Sequence, residues 1–167
     1  MPGQPIPDSG FAGDDGSVAP DVTAALTDYA AGEATYAETL AVLQRSRLLV
    51  PVVAVAGEVE YDERGLARDK TSDMATVLLT GRDGRTALLA FTGAEPLRQW
   101  DPEARPVPVA AALAARSAAQ DGAEALVIDV AGTTRFVIEG DDLTAVAEGW
   151  TLARVGERTA WIRPATE

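Results

Sequence analysis

The sequence predicts one α+β domain: a mixed, mostly antiparallel sheet of about five strands, an ordinary size for a sheet, with helices packed on it. Three observations lead there. Apolar runs of strand length recur along the chain, at 48–55, 86–91 and 125–130. Segments with apolar residues at helical spacing lie between and around them. The turn Gly81-Arg82-Asp83-Gly84-Arg85 joins two strand-like runs, 76–80 and 86–91, in the manner of a β-hairpin.

Residues 1–19 are rich in Pro, Gly, Asp and Ser and bury too little apolar surface to offset their ordering entropy, so they are expected to form a disordered tail. The domain proper spans 20–150, and 151–167 form a C-terminal hairpin extension. Pro20-Asp21 opens the first helix, with Asp21 as its N-cap and Val22, Leu26, Tyr29 and Ala30 on one face. Gly32 ends it. A second helix over 33–45 carries Tyr36, Leu40 and Leu43 on a stripe. The run from Leu48 to Val55 is a buried strand in which Pro51, lacking an N–H, belongs at an edge, a bulge or the strand start.

Residues 57–73 mix acids with Arg64, Arg68 and Lys70 and lack apolar periodicity. They read as a solvated loop, with a partner-binding or lid role as the alternative. The 76–80 and 86–91 runs are expected as central strands covered on both faces. Thr92-Gly93-Ala94-Glu95 fits a capping box at the start of a short helix, unless Pro96 shifts the cap a residue or two onward. Pro106-Val107-Pro108 leads into an Ala-rich helix over 109–120, with Val109, Ala112 and Leu113 marking its face and Gly122 after its end. Strands over 125–130 and 135–138 follow. Gly140-Asp141-Asp142 opens a helix with Leu143, Val146, Ala147 and Trp150 on one side. Gly156-Glu157 then joins two final strand-like runs, in which Trp161 packs on the domain or anchors an interface.

Composition excludes several functions. The formal net charge is −12, and basic residues are scattered singly, Lys70 being the sole lysine. Nucleic acid and anionic membranes are therefore poor partners. The chain has no Cys and no His. That removes disulfides, thiolate nucleophiles, Cys-type zinc sites, the Ser-His-Asp triad and the commonest metal ligand. No Ser lies in a Gly-x-Ser-x-Gly elbow, and no Gly-Lys-Ser/Thr phosphate loop occurs. The carboxylate pairs Asp14-Asp15, Asp62-Glu63 and Asp141-Asp142 lack calcium-loop spacing and read as solvated or helix-opening acids. The N-terminus has neither a basic start nor an apolar run, and no stretch nears the roughly 20 apolar residues of a spanning helix, so a cytoplasmic location is expected.

Leu49-Val50-Pro51-Val52, then Leu88-Leu89-Ala90-Phe91-Thr92-Gly93-Ala94-Glu95, Leu97-Arg98-Gln99-Trp100, and Val127-Ile128-Asp129-Val130-Ala131-Gly132 together resemble the N-terminal domain of the SseB family, over about 21–150. Two positions depart from the family's pattern. Gly93 stands in place of the Ser in the usual Phe-Thr-Ser, and Asp129-Val130-Ala131-Gly132 stands where Asn-Pro-x-Gly is common. The resemblance implies a small α+β binding or scaffold module and transfers no catalytic residue.

The expected function is a non-enzymatic protein-interaction or scaffold module in the bacterial cytoplasm. The alternative is a small-molecule-binding regulatory domain at the strand end, with Phe91, Thr92, Arg98 and Trp100 as binding candidates. No catalytic residue, metal ligand or cofactor is assigned. The expected partner is a protein, and the C-terminal hairpin offers a route to homodimerisation.

Overall fold

The computed structural model describes residues 10–55, 60–61, 67–68 and 73–166. Its elements run in chain order as helix α1 (Pro20–Ala30), α2 (Tyr36–Gln44), strands β1 (Arg47–Val55), β2 (Glu60–Tyr61), β3 (Ala67–Arg68), β4 (Asp73–Thr76), β5 (Leu78–Thr80) and β6 (Thr86–Ala90), then α3 (Ala94–Trp100), β7 (Arg105–Ala110), α4 (Ala111–Gln120), β8 (Ala125–Ile128), β9 (Phe136–Glu139), α5 (Gly140–Ala147), β10 (Thr151–Val155) and β11 (Arg158–Ile162). The architecture is α+β, as the sequence predicts.

The strands form a mixed four-stranded sheet, β5-β6-β8-β9, and a three-stranded antiparallel sheet, β4-β1-β7. In the first, only β6 and β8 run parallel. A bridge between Leu49 and Phe91 joins the two sheets, with N–H···O distances of 2.7 and 2.8 Å. One sheet of about five strands thus becomes two sheets sharing a seam.

Period-two alternation divides the apolar residues between two cores. Leu48, Val50, Leu88, Ala90, Leu126, Ile128, Phe136 and Ile138 face a large core closed by α1, α2, α4 and α5. Leu49, Leu89 and Phe91 face the other side, where Leu97 and Ala104 complete a smaller core with Trp100 and Val127 at its rim. Tyr36 stacks on Phe136 at 4.7 Å, and Tyr29 meets the same ring edge-on at 5.2 Å.

Several local expectations change. Asp21 does not cap α1: Ala19 holds the N-cap position, Pro20 follows it, and the Asp21 carboxylate accepts the Val22 N–H at 2.9 Å. Helix α2 begins later than Glu33, because Thr35 and Glu38 form a reciprocal capping box at 3.2 and 2.8 Å. Pro51 sits mid-strand in β1, between β4 and β7. Leu49 turns its N–H and C=O toward Phe91, so alternation aims the Pro51 nitrogen the same way, into the gap between Phe91 and the first β4 pair, Val52 with Thr76.

Residues 105–110 form a strand rather than the start of the Ala-rich helix, and Val109 pairs with Leu48. Pro106 and Pro108 sit opposite Pro51 and Leu49, whose backbone N and C=O face away from β7, so the two proline nitrogens face the other side of β7, where no strand pairs among the described residues and a missing donor costs nothing. Helix α4 buries Ala111, Ala114, Ala115 and Ala118 and leaves Leu113 exposed. Strand β5 is an edge, not a central strand, with Leu78 and Leu79 largely exposed. The charged 57–73 segment carries a short antiparallel ribbon, β2 with β3, among its described residues; Asp62-Glu63 lies outside them.

Residues 1–9 of the expected tail lie outside the described residues. Residues 10–19 contact the domain: the Gly16 carbonyl accepts the Ala94 N–H at 2.7 Å, and Val18 packs against the large core. The C-terminal hairpin, β10 with β11, folds back on its own domain through Leu152 and Trp161.

Candidate functional site

The parallel strands β6 and β8 end side by side, with Ala90 opposite Ile128. Each chain then leaves the sheet with a polar residue, Thr92 after β6 and Asp129 after β8. The crevice beyond the carboxyl ends of parallel strands is a recurrent ligand position in sheets containing them.

Asp129 has φ +55°, the left-handed region, and is the one non-glycine residue there among those described. A short polar Asp tolerates that conformation better than a branched or bulky side chain. The turn is fixed at both ends: the Asp129 N–H donates to the Ala90 carbonyl at 3.0 Å, and its carbonyl accepts the Gly132 N–H at 2.9 Å. The side chain then folds beneath Thr92. Its Oδ1 accepts the Thr92 N–H at 2.9 Å and its Oδ2 accepts the Thr92 hydroxyl at 2.7 Å. Thr92 and Asp129 are 3% and 5% exposed. Burial pushes the Asp129 carboxyl above the usual carboxylate range, and the two donations from Thr92 draw it partly back.

Thr92 is therefore not the cap of α3. Gly93 holds that position without a side-chain bond, and Pro96 falls in the first turn. The threonine is spent on closing two strand ends. Its carbonyl accepts from Arg47 Nη1 at 2.8 Å.

Above this pair lies a cleft of about 350 Å³ between α1, α3 and the 132–134 turn. Thr23, Gln99, Thr133 and Thr134 offer polar groups around it, and Val18 and Leu26 add apolar wall. Among the described residues, its lining carries two carboxylates, Asp129 and Glu95, and no cation. A cavity of similar size, about 370 Å³, lies between α2 and the C-terminal hairpin, but its charged lining residues, Glu38, Arg154 and Glu157, are all exposed. Among the described residues, no group of three or more acids gathers where it could hold a metal ion.

Arg47 ties the N-terminal segment to the same junction. Its Nη2 donates to Asp14 Oδ1 at 2.9 Å and to the Ser17 carbonyl at 2.8 Å, and its Nε meets Asp14 Oδ2 at 2.5 Å. Asp15 lies alongside, its carboxyl held below the usual range chiefly by the Ser17 N–H and hydroxyl. Asp141 and Asp142 stand in the first turn of α5, where Asp142 also accepts the Trp161 indole N–H at 2.9 Å.

Of the four sequence candidates, only Thr92 lines the cleft. Phe91 is fully buried on the opposite face of the sheet, tilted against Trp100 at 5.6 Å in the smaller core. Arg98 is exposed and pairs with Glu95 at 3.1 Å. Asp129, Thr23, Thr133 and Arg47 were not singled out by sequence. An acid closing the apolar run Ala125-Leu126-Val127-Ile128 was the available signal, and Arg47 likewise heads an apolar strand.

No curated protein matches the chain, and no solved structure does. The family model described as SseB protein N-terminal domain matches residues 22–145, from the first turn of α1 to α5, and leaves the N-terminal segment and the C-terminal hairpin outside it. That span holds both sheets and the Thr92–Asp129 junction, and on it the chain belongs to the SseB family.

Proposed function

We propose that this domain is a non-enzymatic binding module that takes a small polar ligand in the cleft over Thr92 and Asp129. One observation carries the reading: neutral hydroxyl and amide groups from three separate elements converge on a concave site floored by a buried, fully hydrogen-bonded carboxylate. Asp129 spends both oxygens on Thr92, which suits it to shaping a site rather than moving protons. The absence of His and Cys from the sequence supports the non-enzymatic reading.

The test is a chemical-shift survey with small sugars, amino acids and polyamines. A ligand should shift the amides of Thr23, Gln99 and Thr133 together. The exposed pair Thr23→Val and Gln99→Ala should abolish that shift while leaving the fold intact. Failure of every compound to perturb those amides would sink the reading.

A protein-interaction or scaffold role is favoured by a different observation. Among the described residues, α3 is the helix packed on the sheet face opposite α1, α2, α4 and α5, and Leu79 on that face is 44% exposed. The C-terminal hairpin adds Val155 and Ile162, at 60% and 51%. Among the described residues, no helix is long and apolar enough to cross a membrane; a cytoplasmic location and a hairpin-mediated homodimer belong to this second reading. Val155→Asp with Ile162→Asp should abolish capture of a partner, or a dimer, that the native chain shows.

A further inference from the structure

The N-terminal segment approaches the start of α3 so closely that both sides require glycine. A Cβ on Gly93 would lie 2.6 Å from Val18 Cγ2 and 2.9 Å from the Gly16 carbonyl oxygen. A Cβ on Gly16 would lie 2.9 Å from the Ala94 Cβ, and Gly16 has φ +79°. The hold on this segment is otherwise polar: the Arg47–Asp14 pair, Arg47 to the Ser17 carbonyl, and Ala94 N–H to the Gly16 carbonyl. Among the described residues of the segment, Val18 is the side chain packed on the main core, and most of residues 10–17 are exposed. Contacts of this kind hold a tethered strand but release it readily, since net contributions per hydrogen bond are small.

We propose that residues 14–18 are an internal occupant of a peptide-docking groove, and that the groove's other occupant is an acidic segment of a partner protein with the same Asp-x-Gly-x-Val spacing. The groove reads this chemistry directly. Arg47 takes the carboxylate, the glycine admits the close approach to Gly93, and the branched side chain enters beside Leu26. Arg45, Ser46 and Asp21 line an adjoining cavity of about 240 Å³ beside Arg47, which offers a longer occupant polar contacts beyond those of the segment now seated there. A second copy's identical segment would gain nothing over the tethered one, which acts at high effective concentration. A partner that also fills the adjoining cavity would displace it.

The experiment uses the full chain and a fluorescent peptide carrying the sequence of residues 10–19. Asp14→Ala loosens the internal segment and leaves the groove intact. Gly93→Ala blocks the groove, and because Gly93 has extended backbone (φ −165°) any residue fits its conformation. Hydrogen exchange at the Ala94 amide should be slow in the native chain and at least tenfold faster in either variant. The peptide should bind Asp14→Ala at least tenfold more tightly than the native chain. The double variant Asp14→Ala with Gly93→Ala should lose that gain, as should a peptide with Asn at its Arg47-binding position. Unchanged Ala94 exchange in Asp14→Ala, or equal peptide binding by all variants, would overturn the proposal. A concentration-dependent dimer abolished by Gly93→Ala would assign the groove to a second copy and equally overturn it.

Discussion

Thr92 gives both its backbone N–H and its hydroxyl to one carboxylate, that of Asp129, at 2.9 and 2.7 Å. Two parallel strands that share no turn are thereby fastened at their ends by a single side chain. Arg47 holds the remaining polar group of Thr92, its carbonyl, so β1 and the N-terminal segment are tied to the same residue.

Truncating this fastening should be costly. Asp129→Ala strands a buried N–H and a buried hydroxyl and places a Cβ-only residue at φ +55°. A loss of roughly 2–4 kcal/mol is expected, from the desolvation of unpaired groups and the unfavourable backbone region. Asn at this position accepts the Thr92 N–H through its carbonyl and tolerates the left-handed conformation, so Asp129→Asn should lose less than half as much. Urea denaturation of the two variants beside the native chain checks the ordering.

The same residue imposes a pH dependence of definite sign. Its native pKa is raised, so between the unfolded carboxyl value near ~3.9 and the native value the folded state holds more protons than the unfolded state. Its contribution is fully present below the unfolded value and is lost as pH rises through the native one. Asp129→Asn removes this slope and no other. Subtracting its urea midpoints from those of the native chain, from pH 3 to pH 8, should show the native chain losing ground as pH rises; a difference that grows in its favour would contradict the assignment.

The first turn of α2 offers a separate test. Thr35 and Glu38 satisfy each other's backbone donors, and the Thr35 N–H and hydroxyl hold the Glu38 carboxyl below its usual range. Thr35→Ala should cost about 1 kcal/mol, the usual worth of such a cap. Thr35→Ser keeps the hydroxyl and should recover most of it. Glu38 should titrate closer to an ordinary glutamate in Thr35→Ala, which carboxyl-detected NMR reads directly.

The parts of this fold that could be read from sequence are those in which one residue type has one physical reason to be where it is. The Asp83-Gly84 turn, the continuous apolar runs of β6 and β8, and the Leu40 and Leu43 stripe are of that kind. Pro51 and Val109 misled because each obeyed a rule whose outcome depends on a neighbour. A proline fits mid-strand when the ladder beside it is open, and Pro51 falls between the Leu49–Phe91 bridge and the first β4 pair, Val52 with Thr76. Val109 reads as helix by its Ala-rich company and becomes strand because Leu48 pairs with it. The candidate site was half legible for the same reason. Thr92 at a strand end was visible, but its partner lies 37 residues away. Phe91, adjacent to it in sequence, is carried to the opposite face by strand alternation, and Trp100 joins it there from the end of α3.

The C-terminal hairpin, outside the matched family span, provides the last test, because a two-stranded ribbon is marginal unless something holds it. Gln44 at the end of α2 supplies much of that hold. Its Nε2 donates to the Trp150 carbonyl at 2.6 Å, and its Oε1 accepts the Leu152 N–H at 2.9 Å. One amide thus holds the Trp150 carbonyl just before β10 and the Leu152 N–H within it, while Trp161 reaches Asp142 and the Arg163 guanidinium lies 4.8 Å over the Trp150 ring. Gln44→Ala removes both halves of the amide contact at once, leaving a part-buried donor and acceptor to water. Exchange at the Leu152 amide should rise by at least tenfold and that of the β10–β11 ladder with it. The amides of α5 should change far less, since that helix packs chiefly on α4 and β9 and meets the hairpin through the Asp142–Trp161 hydrogen bond at its first turn. Gln44→Glu keeps the acceptor for Leu152 but turns a carboxylate toward the Trp150 carbonyl, so it should protect Leu152 while releasing Trp150. If both variants left exchange in the hairpin unchanged, Leu152 and Trp161 packing alone would be sufficient to seat it.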